Sequence, residues 1–386
     1  MSSSAGAMKL TLAAAIATAV ASWACVSVAF GPNSGGAKPH RESIRRLGRR
    51  IGGDEDDDDD DDEYDLVPVR AHRYDVPPEI LVGDCACREE VLLAVRLALE
   101  AGRNMTRHLN ARGTEHENAS DLDISTKSNS ADLATAIDVL NEDLIARGIR
   151  NRFPSHRIIG EESTGSGPVD PIEPNGENTW IIDPIDGTTN FASGLPLCCV
   201  SIGMCVGGVP HMGVAYAPAT DELYVAVRGR GAYRNGVRLS SSGGGGGRTL
   251  SDSVVGFEFG YAKSEEDVDL MTGAVKRLLR HGVRATRSLG SGVLDLCYVA
   301  SGRLDVVYAG VADEGWKPWD YCAGLVVANE AGCTMTHLIS RSKEDLVDDG
   351  SGEIRRGYEF NLLSRSVICG VNADLVEETR RVVLGL

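Results

Sequence analysis

The sequence predicts a chain of mixed α and β structure, of the α/β or α+β class, with two layered subdomains and a meandering sheet in the middle. Two helical patterns precede a run of successive strand patterns over residues 201–239. Apolar strand and helix patterns then alternate to the C-terminus. Helices and sheets each bury an apolar face, so such a succession is expected to stack in layers. No G-x-G-x-x-G or P-loop pattern indicates a nucleotide-binding fold.

The first segment has the composition of a targeting sequence. Residues 1–29 place a lysine before an Ala/Val/Leu-rich stretch and small residues, which predicts a cleaved signal peptide. A membrane-spanning anchor is the alternative. Residues 30–52 are rich in Arg, Ser and Gly, which is typical of a transit peptide. With Phe30 directly after Ala29, the arrangement resembles the bipartite presequences of secondary plastids. It predicts plastid import, with the secretory pathway as the alternative.

Residues 53–84 are predicted to be an acidic disordered linker. Much of the formal net charge of -17 comes from the aspartate run in this segment. A run of like charges repels itself and stays solvated. Metal collection or protein binding by the run are the alternatives. No basic patch with interleaved aromatic residues occurs, so no nucleic-acid partner is predicted. No membrane partner is predicted either.

The folded domain is predicted over residues 85–386, and its elements follow in order. Helices are predicted over 88–109 and 132–153, and short strands over 157–160 and 179–183. Helical spacing assigns the buried faces of the two helices to Leu92, Val95, Leu99, Gly102 and Met105, and to Ile137, Leu140, Leu144 and Ile149. The Asn235-Gly236 pair predicts a hairpin among the central strands. Four strand–helix pairs complete the chain.

Two aspartates end an apolar strand in "WIIDPIDGTTNF". The proline between Asp183 and Asp186 cannot donate to a strand ladder, and Gly187 permits a tight backbone path. Both carboxylates and the carbonyl of Ile185 can therefore converge, and oxygen ligands suit a hard cation such as Mg²⁺. A helix starting at Thr188 would offer amides to a phosphate group. Helix capping by the two aspartates is the alternative.

Two further acids follow similar patterns. In "IIGEES", Glu161 comes directly after an apolar strand and a glycine, although paired glutamates are usually solvated surface residues. In "KPWDYCAG", Asp320 stands between aromatic residues at the start of an apolar helix. An aspartate there is most often a cap. A buried acid in such surroundings is nevertheless costly unless a positive charge pairs with it.

Together, "GEES", "WIIDPIDGTTNF" and "WDYCAG", in this order and at these separations, resemble the signature motifs of the inositol monophosphatase family. The resemblance extends over residues 85–386. It implies the layered α-β-α-β-α sandwich of the inositol monophosphatase and fructose-bisphosphatase type, usually as a homodimer. It also implies a lithium-sensitive phosphatase that uses two to three Mg²⁺ ions and a water molecule, without a covalent phospho-enzyme.

The resemblance also implies roles for individual residues. The implied metal ligands are Glu161, Asp183, the carbonyl of Ile185, Asp186 and Asp320, with Glu161 shared by a third ion. Asp138, Thr188 and Glu161 are the implied catalytic residues, Asp138 and Thr188 acting as a pair that activates water. The implied substrate and phosphate contacts are Asp186, Gly187, Thr188, Gly290, Ser291 and Gly292, together with Lys127 near the third metal.

The resemblance predicts a small phosphomonoester as substrate, with myo-inositol 1-phosphate first. The family's inositol-contacting glutamate should follow the strand "DVVY", where this chain has Ala309 and a longer approach to Trp319. Glu314 is a candidate replacement. Phosphatases for L-galactose 1-phosphate or histidinol phosphate are therefore alternatives within the family. A non-catalytic, RNA-associated regulatory protein is the alternative from another class.

Overall fold

The computed structural model describes residues 74–82, 85, 87–111, 130–165, 167–172, 176–241, 248–313, 315–339 and 357–386. The predicted signal peptide, the predicted transit peptide, most of the predicted linker, Lys127 and Glu314 lie outside the described residues. The predictions for these segments, and for plastid import, stay predictions. Among the described helices, none combines the length and the apolar character needed to cross a bilayer.

The predicted helices and strands occur in the predicted order, and the structure adds short helices at Pro78–Leu81 and Glu161–Thr164 and a strand at Thr334–Thr336. The helices are α1 (Pro78–Leu81), α2 (Arg88–Ala111), α3 (Ser130–Arg152), α4 (Glu161–Thr164), α5 (Thr188–Ser193), α6 (Glu265–His281), α7 (Gly292–Ala300), α8 (Pro318–Glu330) and α9 (Ala373–Leu384). The strands are β1 (Arg157–Gly160), β2 (Thr179–Asp186), β3 (Cys199–Val206), β4 (Val209–Ala217), β5 (Glu222–Val227), β6 (Gly231–Arg234), β7 (Val237–Arg238), β8 (Val254–Glu258), β9 (Ala285–Arg287), β10 (Val306–Ala309), β11 (Thr334–Thr336) and β12 (Val367–Gly370).

The first sheet contains β1 to β7 in sequential order. Strand β1 is parallel to β2, and the other neighbouring strands are antiparallel. Successive side chains of a strand point to opposite faces. On β2, Trp180 and Ile182 accordingly join the core with α2 and α3, whereas Ile181 joins the core with α7 and α8. The predicted hairpin at Asn235-Gly236 is confirmed between β6 and β7.

The second sheet has the strand order β11-β12-β10-β8-β9. On β10, Val306 and Tyr308 pack with α6 and α9, while Val307 and Ala309 pack with α7 and α8. The successive layers are therefore α2 with α3, the first sheet, α7 with α8, the second sheet, and α6 with α9. The predicted α-β-α-β-α sandwich is confirmed, because both sheets are apolar on both faces and need helices on each side.

The packed domain begins before residue 85. Val76 is 7% exposed and Ile80 is fully buried, and both belong to the core formed by α2, α3 and the first sheet. The predicted linker boundary at residue 84 is therefore wrong for the stretch around α1. The prediction was based on the composition of residues 53–84, which is dominated by the acidic run, so it did not identify Val76 and Ile80 as core residues.

The predicted helix faces are correct in part. On α2, Val95 and Met105 are buried, but Leu92 is 44% exposed. On α3, Ile137 and Ile149 are buried, whereas Leu140 and Leu144 are only half-buried. The buried residues of α3 that the prediction missed are the apolar Ala134, Ile145 and Ala146 and the polar Asp138, Asn141 and Glu142. An apolar pattern could not predict the polar part of this face. Asp138 accepts from Thr188 and Glu142 from the amide of Glu162, both beside the acidic site, whereas Asn141 accepts from Asn104 of α2.

Candidate active site

Strand β2 ends in a bulged turn that buries two carboxylates. The pairing of β2 with β3 shifts register between Asp183 and Asp186, as expected where the intervening proline cannot donate a ladder hydrogen bond. The amide of Ile185 donates to Asp183 Oδ1 at 3.0 Å. Gly187 ends the turn with a φ of 84°, which favours glycine, and α5 begins at the next residue. Asp183 and Asp186 are only 1% and 5% exposed.

Helix α8 carries the third carboxylate to the same place. Asp320 lies in its first turn, where Asp320 Oδ2 accepts the amide of Lys317 at 2.7 Å. The helix packs closely on the first sheet, because a Cβ added to Gly213 would lie 2.4 Å from the carbonyl oxygen of Ala323. Asp320 is therefore both a capping residue, as one alternative held, and a member of the acidic site.

The structure brings Asp183, Asp186 and Asp320 together. One carboxylate oxygen from each lies within 4.8 Å of the others. Glu161 follows β1, whose Gly160 pairs with Ile182 of β2, and its carboxyl group interacts with Asp183 at the edge of this group. Four predicted metal ligands thus occupy one region of the fold, although Glu161 lies outside the tightest cluster.

Burial and mutual repulsion shape the acid–base properties of the cluster. Burial raises the pKa of Asp186 to about 6 and that of Glu161 to about 7. Burial also raises the pKa of Asp183 and of Asp320 well above the usual range, and neighbouring carboxylates raise both further. Buried like charges at this spacing call for a counter-charge. An all-oxygen donor set of this charge fits a hard divalent cation.

Asp138 and Thr188 form the predicted pair beside the cluster. Thr188 Oγ1 lies 3.3 Å from Asp138 Oδ2 and 2.9 Å from the carbonyl oxygen of Ile185. Since a hydroxyl has one proton, it donates to one of these acceptors at a time. Asp138 is 1% exposed, and burial, with added repulsion from Glu161, raises its pKa to about 9. The carbonyl of Ile185, a predicted metal ligand, thus already contacts the predicted catalytic threonine.

The segment of residues 288–292 meets the site from the side of the second sheet. The hydroxyl of Ser291 and the amides of Gly292 and Val293 donate to the carboxylate of Asp186, with amide distances of 3.1 and 2.9 Å. Two residues predicted to contact substrate, Ser291 and Gly292, therefore also orient a predicted metal ligand. Gly290 packs against the turn at Gly187, since a Cβ added to Gly187 would lie 3.0 Å from the carbonyl oxygen of Gly290.

Sequence reasoning missed the polar residues that hold these loops. Glu142 of α3 accepts the amides of Glu162 and Ser163 at 2.7 and 2.9 Å, at the start of the short helix that carries Glu161. Glu258 and Asn190 hold the 288–292 segment. The available signals were weak: Glu258 ends an apolar strand, and Asn190 follows the aspartate motif.

Comparison with known proteins agrees with this arrangement. The profile of the inositol monophosphatase family matches residues 88–383. Inositol monophosphatase 2 of Solanum lycopersicum is 41% identical over 246 residues, covering 63% of this chain and 82% of the relative. Inositol monophosphatase 2 of Homo sapiens is 41% identical over 239 residues, covering 62% of this chain and 77% of the relative. The structure of inositol monophosphatase from Anabaena (Nostoc) superposes with a TM-score of 0.57 at 27% identity, covering 78% of this chain and 97% of that chain. The chain therefore belongs to the inositol monophosphatase family of phosphoric monoester hydrolases.

Proposed function

We propose that the protein is a Mg²⁺-dependent phosphatase that hydrolyses myo-inositol 1-phosphate or a related sugar monophosphate. The observation that carries the proposal is the convergence of Asp183, Asp186 and Asp320 within 4.8 Å, with Asp183 and Asp186 buried and Asp320 half-buried. The family supplies the reaction class, and the acidic cluster supplies the reason for a divalent cation.

Glu161, Asp183, Asp186, Asp320 and the carbonyl of Ile185 would hold two to three ions. When bound, Mg²⁺ offsets the carboxylate charges, polarises the phosphoryl group and lowers the pKa of a nearby water molecule. The protein's part is to hold these oxygens in place before the substrate arrives. The bulged turn of β2 and the close packing of α8 on the first sheet support that role.

Thr188 and Asp138 would move the proton. When Thr188 Oγ1 donates to Asp138 Oδ2, a lone pair of the hydroxyl is free to accept a proton from the attacking water. Asp138 then serves as the base at the end of this relay. Because burial raises the pKa of Asp138 to about 9 in the cation-free protein, this carboxyl group is protonated at neutral pH, so the relay would require bound Mg²⁺ to lower that pKa. The amides of Gly187 and Thr188, at the turn after the cluster, would receive phosphate oxygens.

The choice of substrate within the family depends on the region after β10. That strand ends at Ala309, and the chain reaches Trp319 by a longer route than the family pattern implies. L-galactose 1-phosphate and histidinol phosphate are accordingly the competing substrates. A homodimer is proposed on the same family grounds.

Phosphate release by the full chain in Mg²⁺ tests the proposal. The substrate panel contains myo-inositol 1-phosphate, L-galactose 1-phosphate and histidinol phosphate. D320N should abolish release, because asparagine lacks the charge that holds the cation. The fold should be preserved, since the asparagine oxygen can still accept the amide of Lys317. D143N is the matched control, since the Asp143 side chain is 53% exposed in a surface ion pair. Absence of release from every substrate, together with salt-dependent RNA binding, would instead support the regulatory alternative.

A further inference from the structure

The carboxylate of Glu258 holds the 288–292 segment from one side. Glu258 is the last residue of β8 in the second sheet. Its Oε1 accepts the amides of Leu289 at 2.6 Å and Gly290 at 2.8 Å, and the hydroxyl of Ser288 lies 3.4 Å from its Oε2. Hydrogen bonds to a charged acceptor are stronger than bonds between neutral groups, so this contact anchors the segment to the second sheet.

Asn190 holds the same segment from the side of the first sheet. It lies in α5, directly after the aspartate motif, and its Nδ2 donates to the carbonyl oxygens of Leu289 at 2.6 Å and Leu197 at 2.8 Å. Gly290 has a φ of 74°, and a Cβ there would lie 2.9 Å from Asn190 Nδ2. The backbone of Leu289 is thus bound on both sides, by a carboxylate and by an amide group.

The next residues of the chain orient Asp186. Directly after the held residues, Ser291 and the amides of Gly292 and Val293 donate to the Asp186 carboxylate. The segment therefore lies between two carboxylates, Glu258 on the second sheet and Asp186 on the first. A displacement at Leu289 and Gly290 would move the donors that set the direction of Asp186.

A second acid, Asp295, interacts with Glu258. Asp295, in the first turn of α7, is fully buried. Burial raises the pKa of Asp295 well above its usual range, and the charge of Glu258 raises it further. Burial raises the pKa of Glu258 as well, whereas the hydrogen bonds from the amides of Gly290 and Leu289 and from Asp295 lower it.

We propose that Glu258 is a positioning residue of the active site, which fixes the 288–292 segment so that Ser291, Gly292 and Val293 keep Asp186 in its ligand orientation. Glu258 acts through the backbone and does not touch the reacting groups. The inference rests on the proposed function only where activity is measured. Mg²⁺ binding and amide exchange test it independently.

Glu330 provides a matched control. At the C-terminal end of α8, its carboxylate accepts the amides of Gly229 and Gly231 at 2.8 and 2.7 Å. The contact has the same chemistry as that of Glu258. Ten residues of helix, about 15 Å at 1.5 Å per residue, separate it from Asp320. Loss of a carboxylate clamp can therefore be compared at the site and away from it.

The experiment measures Mg²⁺ affinity by calorimetry, hydrogen exchange of the 288–293 amides without Mg²⁺, and kcat and KM for myo-inositol 1-phosphate. It uses the full chain as wild type, E258A, E258Q and E330A. E258A should weaken Mg²⁺ binding about 10- to 100-fold, the usual effect of removing a group that orients metal ligands. It should also speed exchange of these amides. E258Q should lose less affinity and less protection than E258A, since its amide oxygen can still accept both N–H groups but carries no charge. E330A should lower Tm and leave both readouts unchanged.

The outcomes separate this inference from the proposed function. Wild-type Mg²⁺ affinity in E258A, or equal losses in E258A and E330A, would overturn the positioning role. A wild-type protein that binds Mg²⁺ but releases no phosphate would overturn the proposed function alone, while the E258A binding result still decides the inference. A wild-type protein that does not bind Mg²⁺ overturns both. If E258A does not fold, E258D keeps the charge but shortens its reach, and the same loss of affinity is expected.

Discussion

Replacing Asp183 with asparagine tests whether the acidic cluster is a cation site under charge repulsion. The asparagine oxygen can still accept the amide of Ile185, so the change removes charge and little else. Two unit charges separated by 4.8 Å, the limit within the cluster, repel by ~3.5 kcal/mol at an effective dielectric constant of about 20. Proton uptake relieves part of this repulsion. We therefore expect D183N to stabilise the cation-free protein by about 1–3 kcal/mol.

That stabilisation is large enough to measure by calorimetry. A domain of about 300 residues has an unfolding entropy of ~0.6 kcal/mol/K, so Tm should rise by about 2–5 °C in EDTA. Mg²⁺ at about 100 times its Kd should add ~2.7 kcal/mol to the wild type and nothing to D183N. The D143N control should stay within about 0.5 kcal/mol of the wild type. A D183N protein with a lower Tm in EDTA and an undiminished response to Mg²⁺ would refute the reasoning.

Three other predictions concern pH, proton transfer and packing. Burial raises the pKa of Asp186 to about 6 and that of Glu161 to about 7, so the folded cation-free protein keeps protons that the unfolded chain releases near pH 4. Its stability should fall as pH rises from about 4 to 7, and the Tm increase caused by Mg²⁺ should grow over that range; a response independent of pH would contradict this. T188A should lower kcat by about 10²- to 10⁴-fold with Mg²⁺ affinity retained, and T188S should restore most of the rate; an equal loss in both variants would argue against the hydroxyl relay. G213A should destabilise the fold by about 1–3 kcal/mol in chemical denaturation, because its Cβ would lie 2.4 Å from the Ala323 carbonyl oxygen. G273A in α6 is the control. Its Cβ would meet only an arginine side chain at 3.3 Å, so this change should be neutral or stabilising.

Local patterns predicted the elements well where turn residues bound short apolar runs. The Asn235-Gly236 hairpin and the strand–helix succession of the last third follow from turn chemistry and short-range periodicity. The same reasoning failed for Leu92 and for the half-buried leucines of α3, because burial on those helices depends on what packs against them. It also placed the start of the domain too late, since Val76 and Ile80 carry too little apolar signal beside the acidic run.

The sequence by itself determined the layered α and β class, the family resemblance and the local chemistry of "DPIDGTT", where the proline, the glycine and two acids act within one turn. Only the tertiary structure decided that Asp320, on a helix far along the chain, lies within 4.8 Å of Asp183 and Asp186. Only it showed that Glu142, Asn190 and Glu258 hold the loops of the site. The physical reason is range. Turn geometry depends on neighbouring residues, whereas a carboxylate that binds a distant backbone amide leaves no periodic signal in its own segment.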